Sequence, residues 1–317
     1  MITNEKLEYV EFLGPPASGK TTETEKYRKM GYLIFSSDEI RAEIQAKVDN
    51  GEFKIPDNTN LNALVFETIN KLVVQTLKNG KSVVVDATNL GRKRRMNFKK
   101  NLYKIDCVKT CVLFITSIDE CIRRNALRVG YARVPDEAMY RMFCSFECPN
   151  YWEGWDNIIP VIDEKPFAFD FSRTIGFSQD NPHHTLTLDE HMQAAHRFAV
   201  ESGFSSTVQK VACYHDIGKL YTKRFENRRG EKTEKAHFYG HENYGAYLYL
   251  TEMCCGKTMS QEEFNQILYE TNLINCHMRP LNLWSENNVV REKDKKLFGE
   301  SFFEDLVNLN KCDRAAH

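Results

Sequence analysis

The chain has 317 residues and a mass of 36.9 kDa, which suggests about two domains of ordinary size. Hydrophobic residues make up 42% and charged residues 27%, so that a disordered chain, a collagen-like repeat and a coiled coil are not expected. The formal net charge is −1, no run approaches the ~20 apolar residues of a membrane helix, and the first ten residues lack the apolar core of a secretory signal. We therefore expect a cytoplasmic protein without a membrane partner, whose ten cysteines are reduced.

Short apolar runs alternate with helical patterns in the first half of the chain. The predicted strands are Tyr9–Leu13, Leu33–Phe35, Val83–Val85, Val112–Ile115 and Ile158–Ile162. The clearest predicted helix is Leu61–Asn79, which ends before Gly80. This order predicts an α/β domain with a parallel sheet flanked by helices.

The second half of the chain carries mainly helical patterns, so we expect an all-α domain there. The predicted helices are Asp189–Ser202, Thr207–Tyr214, Glu242–Cys255, Gln261–Cys276 and Glu300–Ala316. Ser260 and Glu263 form a capping-box pattern before the fourth helix, and Gly256 suits the end of the third. The polar stretch Ser172–Asp180 separates the two patterns, and it predicts domains at residues 1–172 and 173–317.

A glycine-rich segment follows the first predicted strand. Residues 14–21 match the pattern G-x-x-x-x-G-K-S/T, and a helical stretch comes next. Backbone N–H groups of such a loop converge on phosphate oxygens, which predicts ATP binding with magnesium. Lys20 would neutralise the β- and γ-phosphates, and the hydroxyl of Thr21 would ligate magnesium. The predicted cofactor-binding residues of this loop are Gly14, Ser18, Gly19, Lys20 and Thr21.

Two acidic residues follow predicted strands at the edge where open α/β sheets bind ligands. Asp38 can accept the proton of an attacking hydroxyl, and Arg41, three residues later, can hold an anionic group of the acceptor. Asp86 is placed to hold magnesium through water. The alternatives are an N-cap aspartate beside a surface arginine, and a strand-end turn residue.

A pair of arginines, Arg124 and Arg128, is spaced to share one face of a helix that opens with Asp119 and Glu120. Two guanidinium groups beside a phosphate site can clamp the transferring group. A basic helix face without a ligand is the alternative. More widely, Lys81–Arg141 contains fourteen Lys or Arg against six Asp or Glu, an excess of eight positive charges that suits a phosphate polymer or a solvated surface.

These motifs, in this order, resemble the 5′-hydroxyl polynucleotide kinases of phages over about residues 8–165. The matching segments after the glycine-rich loop are Ser37-Asp38-Glu39-Ile40-Arg41, Val84-Val85-Asp86-Ala87-Thr88-Asn89 and Arg124-Asn125-x-x-Arg128. The resemblance implies that Asp38 is the general base for the 5′-hydroxyl and that Arg41 engages the acceptor's phosphate. It places Arg124 and Arg128 in the lid over the ATP phosphates. The aspartate-based phosphatase motif of the phage enzyme is missing here.

Imidazoles and carboxylates are concentrated in the second half, where all nine histidines lie after residue 180. Neutral imidazoles and carboxylates suit divalent metal ions, and an adjacent His-Asp pair at a helix end can grip one ion. The candidate residues are His191, His215, Asp216, His241, His277 and Asp313. The remaining histidines are interpreted as bystanders, although His184 is close enough in sequence to line the pocket.

This set resembles the HD phosphohydrolase superfamily over about residues 180–317, and most of all the HD domains of bacterial CCA-adding enzymes. The resemblance implies metal-dependent phosphatase and 2′,3′-cyclic phosphodiesterase chemistry. It makes His191, His215, Asp216 and Asp313 the metal ligands. His241 and His277 are then phosphate contacts or ligands of a second metal. The ion would be manganese, nickel, cobalt or iron, and Lys219 would bind the phosphate or be a surface lysine.

Together the two resemblances predict an enzyme that heals broken nucleic-acid ends in a bacterium or a phage-infected cell. One half would phosphorylate a 5′-hydroxyl, and the other would remove a 2′,3′-cyclic phosphate or a phosphate. RNA or DNA ends are the expected substrate, and a nucleic-acid ligase is a possible partner. The alternatives are a small-molecule nucleoside or nucleotide kinase fused to an HD nucleotidase, and an ATP-switched regulatory module.

Overall fold

A computed structural model describes residues 6–182, 185–284 and 287–316, without the side chain of Tyr131. Residue contacts divide the chain into two compact units that interleave along the sequence. The first unit comprises Met1–Ile115, Arg123–Arg128 and Pro149–Val161, and the second comprises Thr116–Ile122, Val129–Cys148 and Ile162–His317. The domains expected at residues 1–172 and 173–317 stay a prediction, and the contact-based units are cut differently.

The strands of the first half form one five-stranded sheet. The bounds are β1 Glu8–Leu13, β2 Leu33–Ser36, β3 Val83–Asp86, β4 Val108–Ile115 and β5 Asn157–Ile162. The strand order is β2-β3-β1-β4-β5, and β1 is parallel to both of its neighbours. The five predicted strands are confirmed, since each short apolar run lies inside one of them. The carboxyl ends of β1, β2 and β3 therefore lie at one edge of the sheet.

Helices lie between these strands along the chain. Their bounds are α1 Lys20–Lys29, α2 Ser37–Asp49, α3 Leu61–Lys78, α4 Arg92–Lys100, α5 Ile118–Ala126 and α6 Asp136–Phe143, with 3-10 turns at Gly130–Ala132 and Tyr151–Glu153. The helix predicted from Leu61 is confirmed as α3, whose first turn is capped by the side chain of Asn60.

The two faces of β1 differ in chemistry. Val10 and Phe12 point to one face and pack with Phe114 in a buried apolar cluster. Alternation places Tyr9 and Glu11 on the other face, and both are fully buried. The hydroxyl of Tyr9 donates to Glu11 Oε2 at 2.7 Å. The sheet thus carries a buried carboxylate in its central strand.

The basic segment around α4 is only partly a surface. Arg95 is fully buried, and its guanidinium donates to both carboxylate oxygens of Glu153, at 2.8 and 2.6 Å. Lys99 is also buried, with its ammonium 3.4 Å from the centroid of the Trp155 ring. Two of the positive charges counted in Lys81–Arg141 therefore stabilise the interior. The excess of eight positive charges thus overstates the positive charge that the surface presents to a ligand.

Helices make up most of the second half of the chain, as predicted. Their bounds are α7 Leu188–Glu201, α8 Ser206–Ala212, α9 Lys219–Thr222, α10 His241–Cys254, α11 Gln261–Cys276, α12 Asn288–Phe298 and α13 Glu300–Ala315, with short irregular helices at Phe171–Thr174 and Pro280–Trp284. Helix α10 packs against α11, and α7 packs against α8 and α13. The capping box predicted from Ser260 and Glu263 is present at α11.

The expectation of an all-α second domain is wrong in one detail. The strands β6, Lys223–Glu226, and β7, Lys232–Phe238, form an antiparallel hairpin. Neither strand has a regular apolar alternation, so the sequence pattern gave no signal for it. The turn is held by Asn227, whose side chain accepts from the backbone N–H groups of Arg229 and Glu231. Within the described residues, no helix has the length and hydropathy of a membrane crossing.

Two candidate functional sites

The glycine-rich loop joins β1 to α1 and is braced by close contacts. A Cβ atom on Gly14 would lie 2.7 Å from Cβ of Phe114 and 2.8 Å from Oγ of Ser18, so only glycine fits there. Gly19 has φ +98°, a left-handed conformation that glycine adopts without strain. Both glycines of the motif are therefore required by the loop's shape, and the backbone that they permit is the part that would receive phosphate.

Lys20 is the first residue of α1 and reaches back across the loop. Its ammonium donates to the carbonyl oxygens of Gly14 and Pro15, at 2.9 and 2.6 Å. Thr21 follows it, exposed at the positive end of the helix dipole. The charge of Lys20 and the hydroxyl of Thr21 thus lie where a nucleotide's phosphates and its magnesium would be held.

Asp86 ends β3 beside the same loop, as predicted. It accepts a hydrogen bond from Oγ1 of Thr24 on α1, at 3.1 Å. Burial raises the pKa of Asp86, although Lys20 and the bond from Thr24 act in the opposite direction. Next along the chain, Thr88 accepts from the backbone N–H of Gly14, and Asn89 donates to the carbonyl of Phe12 at 2.9 Å. The segment after β3 therefore supports both the loop and the strand that leads into it.

Asp38 lies in the first turn of α2, directly after β2, where the sequence predicted it. The N-cap of this helix is Ser36, so the alternative prediction that Asp38 is the N-cap is wrong. The Asp38 side chain is 89% exposed, and its Oδ1 lies 2.6 Å from Nη1 of Arg41. Nη2 of Arg41 donates to Oδ1 of Asn62 on α3, at 3.1 Å. An exposed carboxylate oriented by an arginine is thus available at the ligand-binding edge of the sheet.

The predicted helical pair Arg124 and Arg128 needs a correction. Helix α5 ends at Ala126, so that Arg124 is in its last turn and Arg128 lies beyond its end. The two side chains therefore do not share one helix face. Instead, the backbone N–H groups of Leu127 and Arg128 donate to the carbonyl oxygens of Arg124 and Asn125, and these turns end the helix. A lid role for the two arginines stays a prediction.

Four side chains of the second unit converge on one point. His191 is on α7, His215 and Asp216 follow α8, and Asp313 is in the last turn of α13. Nε2 of His191 lies 3.2 Å from an oxygen of each aspartate and 3.1 Å from Nε2 of His215. One donor atom from each of the four residues lies within 4.8 Å of the others. The sequence prediction placed these residues together, and the structure does the same.

Two further side chains, those of His241 and His277, meet on the other side of Asp216. Its Oδ1 lies 3.2 Å from Nε2 of His241, at the start of α10, and 3.5 Å from Nε2 of His277, after α11. The two imidazole nitrogens are 3.2 Å apart. Asp216 thus directs Oδ2 to the first group and Oδ1 to the second. Both alternatives for His241 and His277, ligands of a second metal and contacts of a phosphate, stay predictions.

Backbone carbonyl oxygens orient these imidazoles. Nδ1 of His191, His215, His241 and His277 lies 2.7–3.1 Å from a backbone carbonyl oxygen of Ala316, Ala212, Phe238 and Ile274 respectively. A carbonyl oxygen only accepts, so each Nδ1 must carry the proton. Each ring thereby turns Nε2 towards the cluster, which is the orientation that metal-ligating histidines adopt.

The imidazoles and carboxylates of this cluster shift each other's pKa values. Burial by itself would raise the pKa of Asp313, but hydrogen bonds with His191 and His215 hold it well below its ordinary value. Burial would lower the pKa of His191, but Asp216 and Asp313 raise it to about 9. Oδ2 of Asp216 is buried, with Nε2 of His191 at 3.2 Å and the ammonium of Lys219 at 2.6 Å. Imidazole nitrogens and carboxylate oxygens in such a group suit a divalent cation, and the donor set does not select one metal.

Lys219 is buried beside this cluster and is not a surface lysine. Its ammonium lies 2.6 Å from Oδ2 of Asp216 and donates to Oε1 of Gln179 at 2.8 Å. Gln179 is itself buried, and its amide donates to the carbonyl of Leu186. Sequence reasoning missed Gln179, and also Asn62, because neither is part of a local motif. The expectation that His184 lines the pocket falls outside the described residues.

Comparison with a family model reaches only part of the first half of the chain. A family model described as an AAA domain matches residues 10–149, which is less than half of the chain. No curated protein matches the chain significantly. A gluconokinase from Sinorhizobium meliloti is 18% identical, with a TM-score of 0.36, over 50% of this chain and 83% of its own.

Two solved structures that concern RNA are similar to the same extent. The Pnkp1/Rnl/Hen1 RNA repair complex matches with 18% identity and a TM-score of 0.36, over 44% of this chain and 44% of its own. A fungal RNA kinase matches with 16% identity and a TM-score of 0.36, over 53% of this chain and 42% of its own. Likeness at this level does not distinguish a kinase of nucleic acid from a kinase of small molecules.

Proposed function

We propose that the chain is a bifunctional end-healing enzyme, an ATP-dependent 5′-hydroxyl polynucleotide kinase and a metal-dependent phosphohydrolase of 3′ ends. The observation that supports the proposal is that one chain contains a glycine-rich loop with Lys20 and, separately, a buried His/Asp cluster around Asp216. Ends with a 5′-hydroxyl and a 2′,3′-cyclic phosphate require both chemistries before they can be joined.

In the kinase reaction, the loop and Lys20 hold the phosphates of ATP, while Asp38 accepts the proton of the attacking 5′-hydroxyl. Arg41 orients Asp38 through its contact at 2.6 Å and remains able to meet an acceptor anion. Thr21 and Asp86 would hold magnesium, the latter through water. Arg124 and Arg128 are proposed to cover the transferred phosphoryl group.

In the hydrolysis reaction, the chain's own part is to hold the phosphate and its attacking water in place. The residues that would hold metal are His191, His215, Asp216, Asp313, His241 and His277. A bound divalent cation would supply a polarised phosphoryl oxygen and a water of lowered pKa. Lys219, buried beside Asp216, is placed to neutralise a phosphate oxygen.

The kinase half is tested with ATP radiolabelled at its γ-phosphate and an oligonucleotide that has a 5′-hydroxyl. We expect label transfer by the natural protein, and none by Lys20→Ala. Asp38→Asn should lower kcat by at least about 100-fold, because general-base catalysis contributes that much. The exposed neighbour Glu39 gives the matched control, since Glu39→Gln removes the same charge one residue away. Transfer equal to the Lys20→Ala background would refute the kinase proposal.

The phosphohydrolase half is tested on an oligonucleotide that ends in a 2′,3′-cyclic phosphate, with manganese or nickel added. We expect release of inorganic phosphate that is insensitive to Asp38→Asn. An RNA and a DNA that each end in a 3′-phosphate establish which nucleic acid is preferred, because DNA lacks the 2′-hydroxyl that a cyclic phosphate requires. Mononucleotides that outcompete oligonucleotides in both reactions would instead support a small-molecule kinase fused to a nucleotidase.

A further inference from the structure

The hairpin of β6 and β7 connects two side chains of the proposed metal site. It begins at Lys223, four residues after Lys219, and it ends at Phe238, three residues before His241. The ammonium of Lys219 lies 2.6 Å from Oδ2 of Asp216, and the carbonyl oxygen of Phe238 lies 2.7 Å from Nδ1 of His241. One end of the hairpin is therefore fixed at the His/Asp cluster, and its turn is at the opposite end of the two strands.

Cations and aromatic rings alternate along one face of this hairpin. Lys223 and Phe238 are paired across the strands, so their side chains leave the same face. The ammonium of Lys219 lies 5.4 Å from the centroid of the Phe238 ring, and that of Lys223 lies 5.7 Å from the centroid of Phe225. Both distances suit a cation–π contact. We call the surface formed by Phe238, Lys223 and Phe225 the hairpin face, and it continues outward from Lys219.

Exposure increases along the hairpin face from the metal site towards solvent. The side chain of Lys219 is 5% exposed, that of Lys223 is 20% exposed, and the residue Phe225 is 45% exposed. A phenylalanine ring that stays nearly half exposed keeps apolar surface in contact with water, which a ligand could cover. The ring of Phe225 is therefore available to a substrate that extends out of the His/Asp cluster.

The ammonium beside Phe225 is anchored by the segment that precedes α7. Lys223 donates to the carbonyl oxygen of Ser178 and to Oδ2 of Asp180, each at 2.5 Å, and its ammonium lies 4.7 Å from the centroid of the Phe177 ring. Because this ammonium is fixed, its contact with Phe225 restricts the orientations of that ring. A ligand would thus meet a preorganised surface and would have less rotamer freedom to restrict.

The charge of the hairpin favours an anionic partner. Lys223–Phe238 contains six Lys or Arg and three Asp or Glu. Asp180 offsets the charge of Lys223, whereas Arg229 adds an exposed positive charge in the turn. Proteins that bind single-stranded nucleic acid combine cations for the phosphates with aromatic rings for the bases. A duplex does not fit in the same way, because its bases already stack on each other.

We propose that the hairpin face binds the single-stranded 3′ end of a nucleic acid whose terminal phosphate is held at the His/Asp cluster. The ring of Phe225 stacks against an unpaired base near that end, and Arg229 contacts a phosphodiester. This inference rests on the proposed phosphohydrolase function and deepens it, because it makes an oligonucleotide, and not a mononucleotide, the preferred substrate of this site.

The experiment compares two substrates of the full-length protein with manganese added. One is uridine 3′-monophosphate, and the other is a single strand of about six uridines that ends in the same 3′-phosphate. The natural protein should have the lower KM for the oligonucleotide. Phe225→Ala should raise that KM by at least about fivefold, the value of one stacked base, and should leave kcat and the KM of the mononucleotide unchanged. Phe53→Ala, which removes a ring of the first unit that is 39% exposed, should change neither KM.

Further variants separate stacking from apolar packing and from charge. Phe225→Tyr keeps an aromatic ring and should restore the KM of the oligonucleotide, whereas Phe225→Leu keeps apolar volume without a ring and should restore little of it. This KM should also rise with the salt concentration, because phosphate contacts release counterions. Arg229→Gln should lower the slope of log KM against log salt by about 0.7 to 1.

The outcomes separate the two proposals. Release of phosphate from neither substrate in the presence of metal defeats the phosphohydrolase function, and the assignment of the hairpin face with it. Release from both substrates with equal kcat/KM leaves the phosphohydrolase intact and overturns the assignment. An equal rise of both KM values in Phe225→Ala gives the ring a structural role and also overturns it. A Phe225→Leu protein with the natural KM for the oligonucleotide overturns the stacking of a base.

Discussion

Lys219 directs its ammonium to Oδ2 of Asp216, at 2.6 Å, in the interior of the second unit. The same oxygen faces Nε2 of His191 at 3.2 Å. A buried carboxylate is stable only when positive charge surrounds it, and here a lysine supplies part of that charge. Lys219 thus belongs to the electrostatic balance of the proposed metal site, beyond any contact that it makes with phosphate.

Asp216→Asn should abolish metal binding. The substitution keeps the shape of the side chain but removes the negative charge that faces both groups of histidines. Metal content after purification, measured by mass spectrometry, should fall from one or two ions per chain to near zero, and phosphate release should fall with it. Asp170→Asn, at an exposed position, is the control. Kinase activity that disappears together with the metal in a folded Asp216→Asn protein would contradict two independent sites.

Gln179→Leu should separate metal binding from hydrolysis. The change removes the acceptor that holds the Lys219 ammonium at 2.8 Å, so that the lysine loses its fixed orientation. We expect metal content to stay the same and phosphate release to fall by about tenfold, the value of a charge-assisted hydrogen bond. Gln179→Glu keeps an acceptor at this place and should recover much of the rate. Loss of metal in Gln179→Leu would show instead that Gln179 supports the ligands themselves.

Gly14→Ala should disable ATP binding. The added Cβ would approach Phe114 Cβ to 2.7 Å, and overpacking of this kind costs about 1–3 kcal/mol. The loop must shift to relieve the contact, and its backbone N–H groups then no longer converge on phosphate. Titration of an ATP analogue should show weaker binding, while phosphate release by the second unit stays unchanged. Unchanged ATP affinity would mean that the loop tolerates the extra methyl group.

Glu11 should make the first unit lose stability as the pH rises. Burial raises its pKa from 4.5 to about 7, although Tyr9, Lys99 and Arg95 act in the opposite direction. The folded state then binds a proton that the unfolded state releases, so the free energy of unfolding falls as the pH rises from 4.5 towards 7 and stays low above it. Glu11→Gln removes this loss and should stabilise the protein above neutral pH by up to about 3 kcal/mol.

Urea unfolding at about pH 5 and about pH 7 tests this difference, because Lys99 stays mostly protonated at both values. Burial lowers the pKa of Lys99 to about 8. Fluorescence of Trp155 reports on the region, since its ring stacks on Tyr9 with centroids 6.4 Å apart. Glu43→Gln, at an exposed position of α2, is the control. A stability gap between Glu11→Gln and the natural protein that is the same at both pH values would refute the prediction.

Local sequence patterns predicted most elements of the fold. The strand from Tyr9 to Leu13 and the helix from Leu61 were found because burial imposes a periodicity that survives in the sequence. The glycine-rich loop was found because its backbone shape demands glycine at Gly14 and Gly19. The metal-binding candidates were found because imidazoles are rare elsewhere in the chain.

Features that depend on distant partners were missed. The charge count took Arg95 and Lys99 for surface residues, because their partner Glu153 is more than fifty positions away. The same reason hid Gln179, which meets Lys219 forty positions later. Arg128 was placed on a helix by spacing, whereas the end of α5 at Ala126 has no strong stop residue. The spacing of residues predicts which side chains share one face of a helix, but it does not predict where the helix ends.

The interleaving of the two units governs how the protein can be dissected. The chain passes between them at residues 115/116, 122/123, 128/129, 148/149 and 161/162. Segments of the first half supply interior surface to the second unit, for example where Tyr247 donates to the carbonyl of Thr116 and Asn275 to that of Phe146.

A truncation after residue 172 would therefore expose these segments to solvent and would leave the other fragment without part of its interior. Neither fragment is expected to stay monodisperse on its own. Single-residue inactivation of one catalytic centre in the intact polypeptide, and not scission, is the way to study the other centre alone.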